Sequence, residues 1–259
     1  MNVVVLMKLI HDPKITLLES EVLNQRFGFY EEHLAYGPYD ENALETALQI
    51  RDQFGFDVTV VIMAQDVPDD MLRAPLAAGA SRILYIPLSS WLFSPRQLAR
   101  TLKGAIDQVQ EPAMVLAGVQ SGDWDTGFIP ISLAAELNAG YVPNLVDAQW
   151  ADEAWTLTSR DASRSRTFKT DSLFVATVAS SGHNTLRYPI MRDRLQAKRK
   201  PVTMLSDLEV PQDSQRLSLS LEWVSEEAQA TEWIEADSDE EKGRLLVRRI
   251  QQRGWLEEG

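Results

Sequence analysis

Short apolar and β-branched runs punctuate the chain at Val3–Met7, Val58–Met63, Ile83–Ile86, Met114–Ala117 and Leu173–Val178. Runs without a polar alternate predict strands buried on both faces, as a parallel sheet requires. Between them the spacing becomes helical. Over Asp40–Phe54 the apolar positions Ala43, Leu44, Ala47, Leu48 and Ile50 recur on one side, and Asp40 is placed to cap the start. Met71–Ala80 and Pro95–Val109 predict two more helices, the second with Ser94 as cap and Pro95 at its first position. Strands alternating with helices predict an α/β fold, a doubly wound and mostly parallel sheet with helices on both faces.

From Gln149 to Thr170 the pattern changes to strict alternation in Trp155-Thr156-Leu157-Thr158 and Arg166-Thr167-Phe168-Lys169, which predicts a hairpin at the sheet's edge. From Pro201 the chain becomes acidic and loses strand periodicity. It then offers a capping box, Ser238-Asp239-Glu240-Glu241, ahead of a helical arm with an apolar stripe of Leu245, Leu246, Ile250 and Trp255. That stripe suits either packing on its own domain or an arm laid across a partner subunit. The expected organisation is one nucleotide-binding domain over residues 1–205 and a C-terminal extension over 206–259.

Composition narrows the chemistry. The 259 residues are 44% hydrophobic and 24% charged, enough to bury a sizeable core. A formal net charge of -13 repels phosphate backbones and anionic lipid, so neither nucleic acid nor membrane insertion is expected. With no cysteine there are no thiolate ligands, disulfides or Cys nucleophiles, which suits a reducing, cytoplasmic setting. The opening Met1–Lys8 run is too short to span a bilayer and lacks a basic leader. His11, His33 and His183 have no metal-ligand spacing and read as surface or loop residues; no metal site is expected.

After the strand ending at Ala117 comes a glycine-rich loop, Gly118-Val119-Gln120-Ser121-Gly122-Asp123-Trp124-Asp125-Thr126-Gly127, and then a helical stretch over Phe128–Leu137. Such a loop aims backbone N–H groups at one point beside a helix N-terminus, where an anion is favoured. It carries no Lys or Arg and neither the Walker nor the Rossmann spacing, so Thr126 and backbone amides are left to hold a phosphate. Asp123 and Asp125 suit ribose hydroxyls or helix capping; a tight turn with no ligand is the alternative. A second loop, Gly37-Pro38-Tyr39-Asp40-Glu41, precedes the first long helix and in a doubly wound sheet faces the same crevice.

The segment Gly37-Pro38-Tyr39-Asp40-Glu41-Asn42-Ala43-Leu44-Glu45 resembles the Asn-Pro-Phe-Asp-Glu-x-Ala-x-Glu segment of the electron-transfer flavoprotein beta subunit. Gly118, Gln120, Asp123, Asp125, Thr126 and Gly127 stand where that family's glycine loop has the same residues. Leu76–Arg82 resembles its Ala-x-Gly-Ala-Asp-Arg stretch and Val5–Lys8 its opening, over a likeness reaching to about residue 205. The chain departs from the pattern at Gly37, Val119, Phe128 and the hairpin tip Asp161-Ala162-Ser163-Arg164, and lacks a proline around Asp171-Ser172.

The resemblance implies a heterodimer in which an alpha subunit holds most of the FAD and this chain binds AMP. The implied pocket comprises Leu6, Gly37, Pro38, Tyr39, Asp40, Met63, Gln120, Ser121, Gly122, Asp123, Trp124, Asp125, Thr126, Gly127 and Phe128, with Tyr39 also against the flavin. Phe128, standing where the family has an amide, leaves AMP, flavin and an empty site as alternatives. Arg187, Tyr188, Met191 and Arg192, ahead of the basic run Lys198-Arg199-Lys200, resemble the loop that docks partner dehydrogenases. The implied function is an electron carrier whose redox chemistry belongs to FAD, with no residue nominated as acid, base or nucleophile. The alternatives are a nucleotide-binding or structural module without redox activity, an FAD-binding bifurcating subunit and, least favoured, a nucleotide hydrolase.

Overall fold

The structure is a computed structural model that describes residues 1–12, 14, 34–65, 67–88, 94–208 and 231–255. His33 and the acidic stretch 209–230 lie outside the described residues. The strands are β1 (Asn2–Met7), β2 (Leu9–His11), β3 (Leu34–Tyr36), β4 (Asp57–Ala64), β5 (Arg82–Pro87), β6 (Pro112–Gly118), β7 (Gly140–Ala151), β8 (Ala154–Asp161), β9 (Arg164–Thr170), β10 (Phe174–Val178) and β11 (Val202–Met204). The helices are α1 (Pro38–Phe54), α2 (Asp69–Ala78), α3 (Pro95–Ile106), α4 (Phe128–Leu137), α5 (Met191–Ala197) and α6 (Asp239–Gln252).

Nine strands form one sheet in the order β11-β5-β4-β1-β6-β10-β7-β8-β9. From β11 to β7 every neighbour is parallel, and β8 and β9 close the far edge antiparallel, as the alternation predicts. Successive residues of β1 serve opposite faces. Val3, Val5 and Met7 join the core cluster beneath α1 and α2, and Val4 and Leu6 join the one beneath α3 and α4. Each fully buried Val or Leu in these layers contributes about 1.5–3 kcal/mol. The sheet is therefore covered on both sides, the architecture expected of the pattern.

Several local features differ from expectation. The helix start at Pro38 puts Gly37 at the N-cap with no side-chain cap bond, so Asp40 lies inside the first turn and does not cap. Ser94 does occupy an N-cap, but its hydroxyl accepts no capping bond. Neither Asp123 nor Asp125 caps α4, whose N-cap is Gly127. Ser238 does cap α6, accepting from the Glu241 N–H at 3.2 Å. The stretch after Pro201 is not free of strand: Val202–Met204 pairs in parallel with Ile83–Tyr85, and Leu205 and Leu208 pack into the core beyond it.

Proline inside α2 shows how the fold absorbs a broken ladder. Pro75 has no N–H for the Met71 carbonyl four residues back, and the Tyr36 hydroxyl donates to that oxygen at 2.8 Å instead. Burial raises the Tyr36 pKa and keeps this donor protonated. At the other end of α2, Lys200 donates to the carbonyls of Leu76 at 2.9 Å and Ala80 at 2.8 Å. Helix α6 buries none of its residues, with Leu246 and Val247 both exposed.

Candidate functional site

In an open parallel sheet, ligands bind outside the carboxyl ends of the strands where the winding reverses. Here β1 is that point, because the chain proceeds from β1 to β4 on one side and later returns to β6 on the other. A cavity of about 640 Å³ opens there. Strands β1 and β4 contribute Leu6 and Met63 to its wall, α1 contributes Asp40, and α4 contributes Phe128. The loop after β6 adds Gln120, Ser121, Trp124 and Thr126. Trp124 and Phe128 are 55% and 61% exposed, so neither side chain fills the opening.

The two glycine loops meet at van der Waals distance. A Cβ on Gly122 would lie 2.8 Å from Ile10 Cδ1 and 3.1 Å from Pro38 Cδ, and one on Gly127 would lie 2.6 Å from the Val119 carbonyl oxygen. These positions are glycine because a neighbour occupies the space a side chain needs. The β6–α4 loop closes on itself: Ser121 N–H donates to the Thr126 carbonyl at 2.9 Å and Asp125 N–H to the Ser121 carbonyl at 3.0 Å. Those two amides are thereby withdrawn from any ligand. The Ser121 Oγ, in contrast, is buried and has no hydrogen-bond partner among the described residues.

Asp40 fastens the loops together. Its Oδ2 accepts from the Lys8 N–H at 2.9 Å and its Oδ1 from the Gly118 N–H at 3.3 Å, joining α1 to the ends of β1 and β6. Burial pushes its carboxyl up to about 7; the two backbone bonds and the Lys8 ammonium pull it down, and the Asp123 charge pushes it up again. Lys8 is the cation that the loop itself lacks. Its Nζ lies 2.7 Å from Asp123 across 115 residues of sequence, and it lines the cavity. Asp125 accepts from Gln120 Nε2 at 2.9 Å, and its carboxylate keeps lone pairs for a further donor.

Comparison with known proteins gives the family. Residues 30–209, more than half of the chain, match the electron transfer flavoprotein domain. The chain belongs to the electron transfer flavoprotein family, as a beta-type member. It is 27% identical to the electron transfer flavoprotein subunit beta of Megasphaera elsdenii over 194 residues, 71% of each chain. The Bacillus subtilis subunit beta is 26% identical over 191 residues, 68% of this chain and 69% of the relative. Protein FixA of Sinorhizobium fredii is 27% identical over 180 residues, 66% of this chain, and the match spans 63% of that relative's length.

In this beta-type member of the family, Gly37, Pro38, Tyr39, Gly122 and Gly127 belong to the two loops but not to the lining of the cavity. Tyr39 is half-buried, its hydroxyl 3.5 Å from Gln120 Nε2. Of the expected docking residues, Tyr188 and Met191 are 84% and 71% exposed, and the Arg192 side chain is solvated. Arg187 has an internal duty: its guanidinium bonds Glu45 at 2.8 Å and Asp52 at 2.7 Å. Hydrogen bonds to Glu45 above all raise its pKa. Lys200, the last residue of the basic run, is likewise committed to α2. Sequence reading missed Lys8 as a site residue, although a lysine one step past the first strand of a doubly wound sheet was the available signal.

Among the described residues no cluster of His, Asp and Glu is placed to hold a metal ion, and no helix is long and apolar enough to cross a membrane.

Proposed function

We propose that this beta-type chain seats AMP in the cavity between the two glycine loops and pairs with an alpha subunit that holds most of an FAD. Electrons would pass through that flavin from a partner dehydrogenase to a downstream acceptor. The observation that carries the reading is Ser121, which lines the cavity at the winding reversal and whose hydroxyl is buried without a partner among the described residues. An orphaned buried donor costs stability unless something accepts from it, and a phosphate or ribose oxygen is such an acceptor. Lys8, which lines the cavity, brings a cation that suits an anionic guest.

FAD, when bound, supplies the redox steps. This chain's own contribution is to orient: Tyr39 would lie against the flavin, while Leu6 and Met63 give the adenine an apolar wall. Tyr188 and Met191 would anchor the dehydrogenase, with Arg192 aiding encounter. Met191→Asp is expected to raise the KM for a partner dehydrogenase several-fold while leaving the melting temperature unchanged, because the side chain is 71% exposed.

The direct test is co-expression with an alpha-type subunit, followed by heat extraction and mass detection of released nucleotide. AMP on this chain and one flavin per heterodimer are expected; a colourless, nucleotide-free complex would refute the proposal, and FAD on both subunits would favour bifurcation. Ser121→Ala sharpens it with opposite signs. The nucleotide-free chain should be unchanged or about 1 kcal/mol more stable, since an unsatisfied hydroxyl is removed. AMP affinity should fall about tenfold, corresponding to roughly 1.4 kcal/mol.

A further inference from the structure

We propose that Asp40 is a proton-linked positioning residue of this cavity: seating an anionic nucleotide there draws one proton from solvent onto the Asp40 carboxyl. The inference rests on the nucleotide reading above and adds a partner to the binding equilibrium.

Asp40 is poorly placed to tolerate a second negative charge nearby, being buried and held by neutral donors alone. It is 9% exposed, and each carboxylate oxygen is held by one neutral backbone N–H, from Lys8 and from Gly118. Among the described residues no cationic side chain bonds it; the Lys8 ammonium pairs with Asp123 instead. Among the described residues the charged groups that act on it are Lys8, at the end of β1, and Asp123, on the loop after β6. Strands β6 and β10 contain no ionisable side chain, and the one in β4 is Asp57, at the opposite end of that strand.

A phosphate held by the β6–α4 loop shares the cavity with this carboxylate. Like charges in a poorly solvated wall favour the state in which one is neutral, and the carboxyl can take a proton in place. It already lies close to that change, since burial has pushed it up to about 7. A neutral carboxyl still accepts from the two backbone donors, so the joint between α1, β1 and β6 survives. In the free chain Asp40 is ionised above about pH 7 and protonated below it. Uptake is therefore largest near pH 8 and fades toward about pH 6, where the proton is already present.

Calorimetric titration of AMP into the full chain near pH 8, in buffers of low and high ionisation enthalpy, measures the proton directly. The expected result is uptake approaching one proton per AMP, with affinity falling about five- to tenfold as pH rises by one unit above about 7.5. Adenosine, which lacks the charge, should bind with no uptake, and Asp40→Asn should abolish uptake with AMP. The variant separates Asp40 from the phosphate's own ionisation near pH 6. AMP heats independent of buffer would overturn this inference and leave the nucleotide reading standing. Uptake that persists in Asp40→Asn would overturn it too, by placing the proton elsewhere. Should the variant not fold, adenosine binding to the wild-type chain with the same uptake overturns it, because charge is then not the cause. Absence of AMP binding between about pH 6 and 9 defeats both proposals.

Discussion

Arg187→Ala is expected to lower folding stability by about 2 to 3 kcal/mol, read as a drop in urea midpoint at unchanged slope. The reason lies with its partner. The Glu45 side chain is only 7% exposed, and Arg187 supplies it with the backbone N–H at 3.0 Å as well as Nε and Nη2. Removing the guanidinium leaves a buried carboxylate that keeps the backbone N–H of residue 187 and, among the described residues, one side-chain bond, from Gln49 Nε2 at 3.3 Å. An uncompensated buried charge is the costly outcome of breaking such a pair. Arg187 is itself 35% exposed, and solvent screening holds the loss below that of a fully buried pair. Arg187→Lys should recover only part of it, since one ammonium cannot bond both Glu45 oxygens and Asp52 as the fork does. A residue serving only to dock a dehydrogenase would leave the midpoint where it was and alter encounter kinetics alone.

Arg187 also shows where a linear pattern stops informing. Its place in a basic cluster is visible in sequence, but Glu45 is 142 residues away, and only the fold brings the two together. The same holds for Lys8 and Asp123 and for Lys200 against the end of α2. What was legible had short-range causes. Ala43, Leu44, Ala47, Leu48 and Ile50 are all buried, because helical spacing dictates which face meets the sheet. The β8–β9 hairpin pairs Leu157 with Phe168 because alternation fixes which side chains share a face. Strands of three residues escaped for a physical reason: β2, β3 and β11 are too short to establish a period, and tertiary contacts define them. Asp40 was misplaced by three residues because Pro38, favoured at the first position, starts the helix earlier than an aspartate cap would. That shift turns the carboxylate inward, and it accounts for the buried joint at the centre of the candidate site.

Gly118→Ala tests that joint most directly, with an expected loss of about 2 to 3 kcal/mol and at least a tenfold fall in AMP retention. No unusual backbone angle is involved; the constraint is space. An added Cβ would lie 2.6 Å from Tyr39 Cβ, 2.8 Å from the Tyr39 carbonyl carbon and 2.8 Å from Asp40 Oδ1. Two of these neighbours are fixed to the α1 backbone, so no rotamer change relieves the clash. Either the first turn of α1 moves away from the end of β6 or β6 shifts in register with β1 and β10, its neighbours in the sheet. In both cases the Gly118 N–H to Asp40 bond lengthens from its present 3.3 Å and the two loops separate. Gly182→Ala serves as the control, because nothing among the described residues lies within 4 Å of the added carbon there, and it should stay within about 0.5 kcal/mol of wild type. Equal melting temperatures for Gly118→Ala and the control would mean that the loops tolerate separation. The cavity would then owe its shape to the apolar wall from α3, where Leu98 and Leu102 face it, more than to the contact between Gly118 and Tyr39.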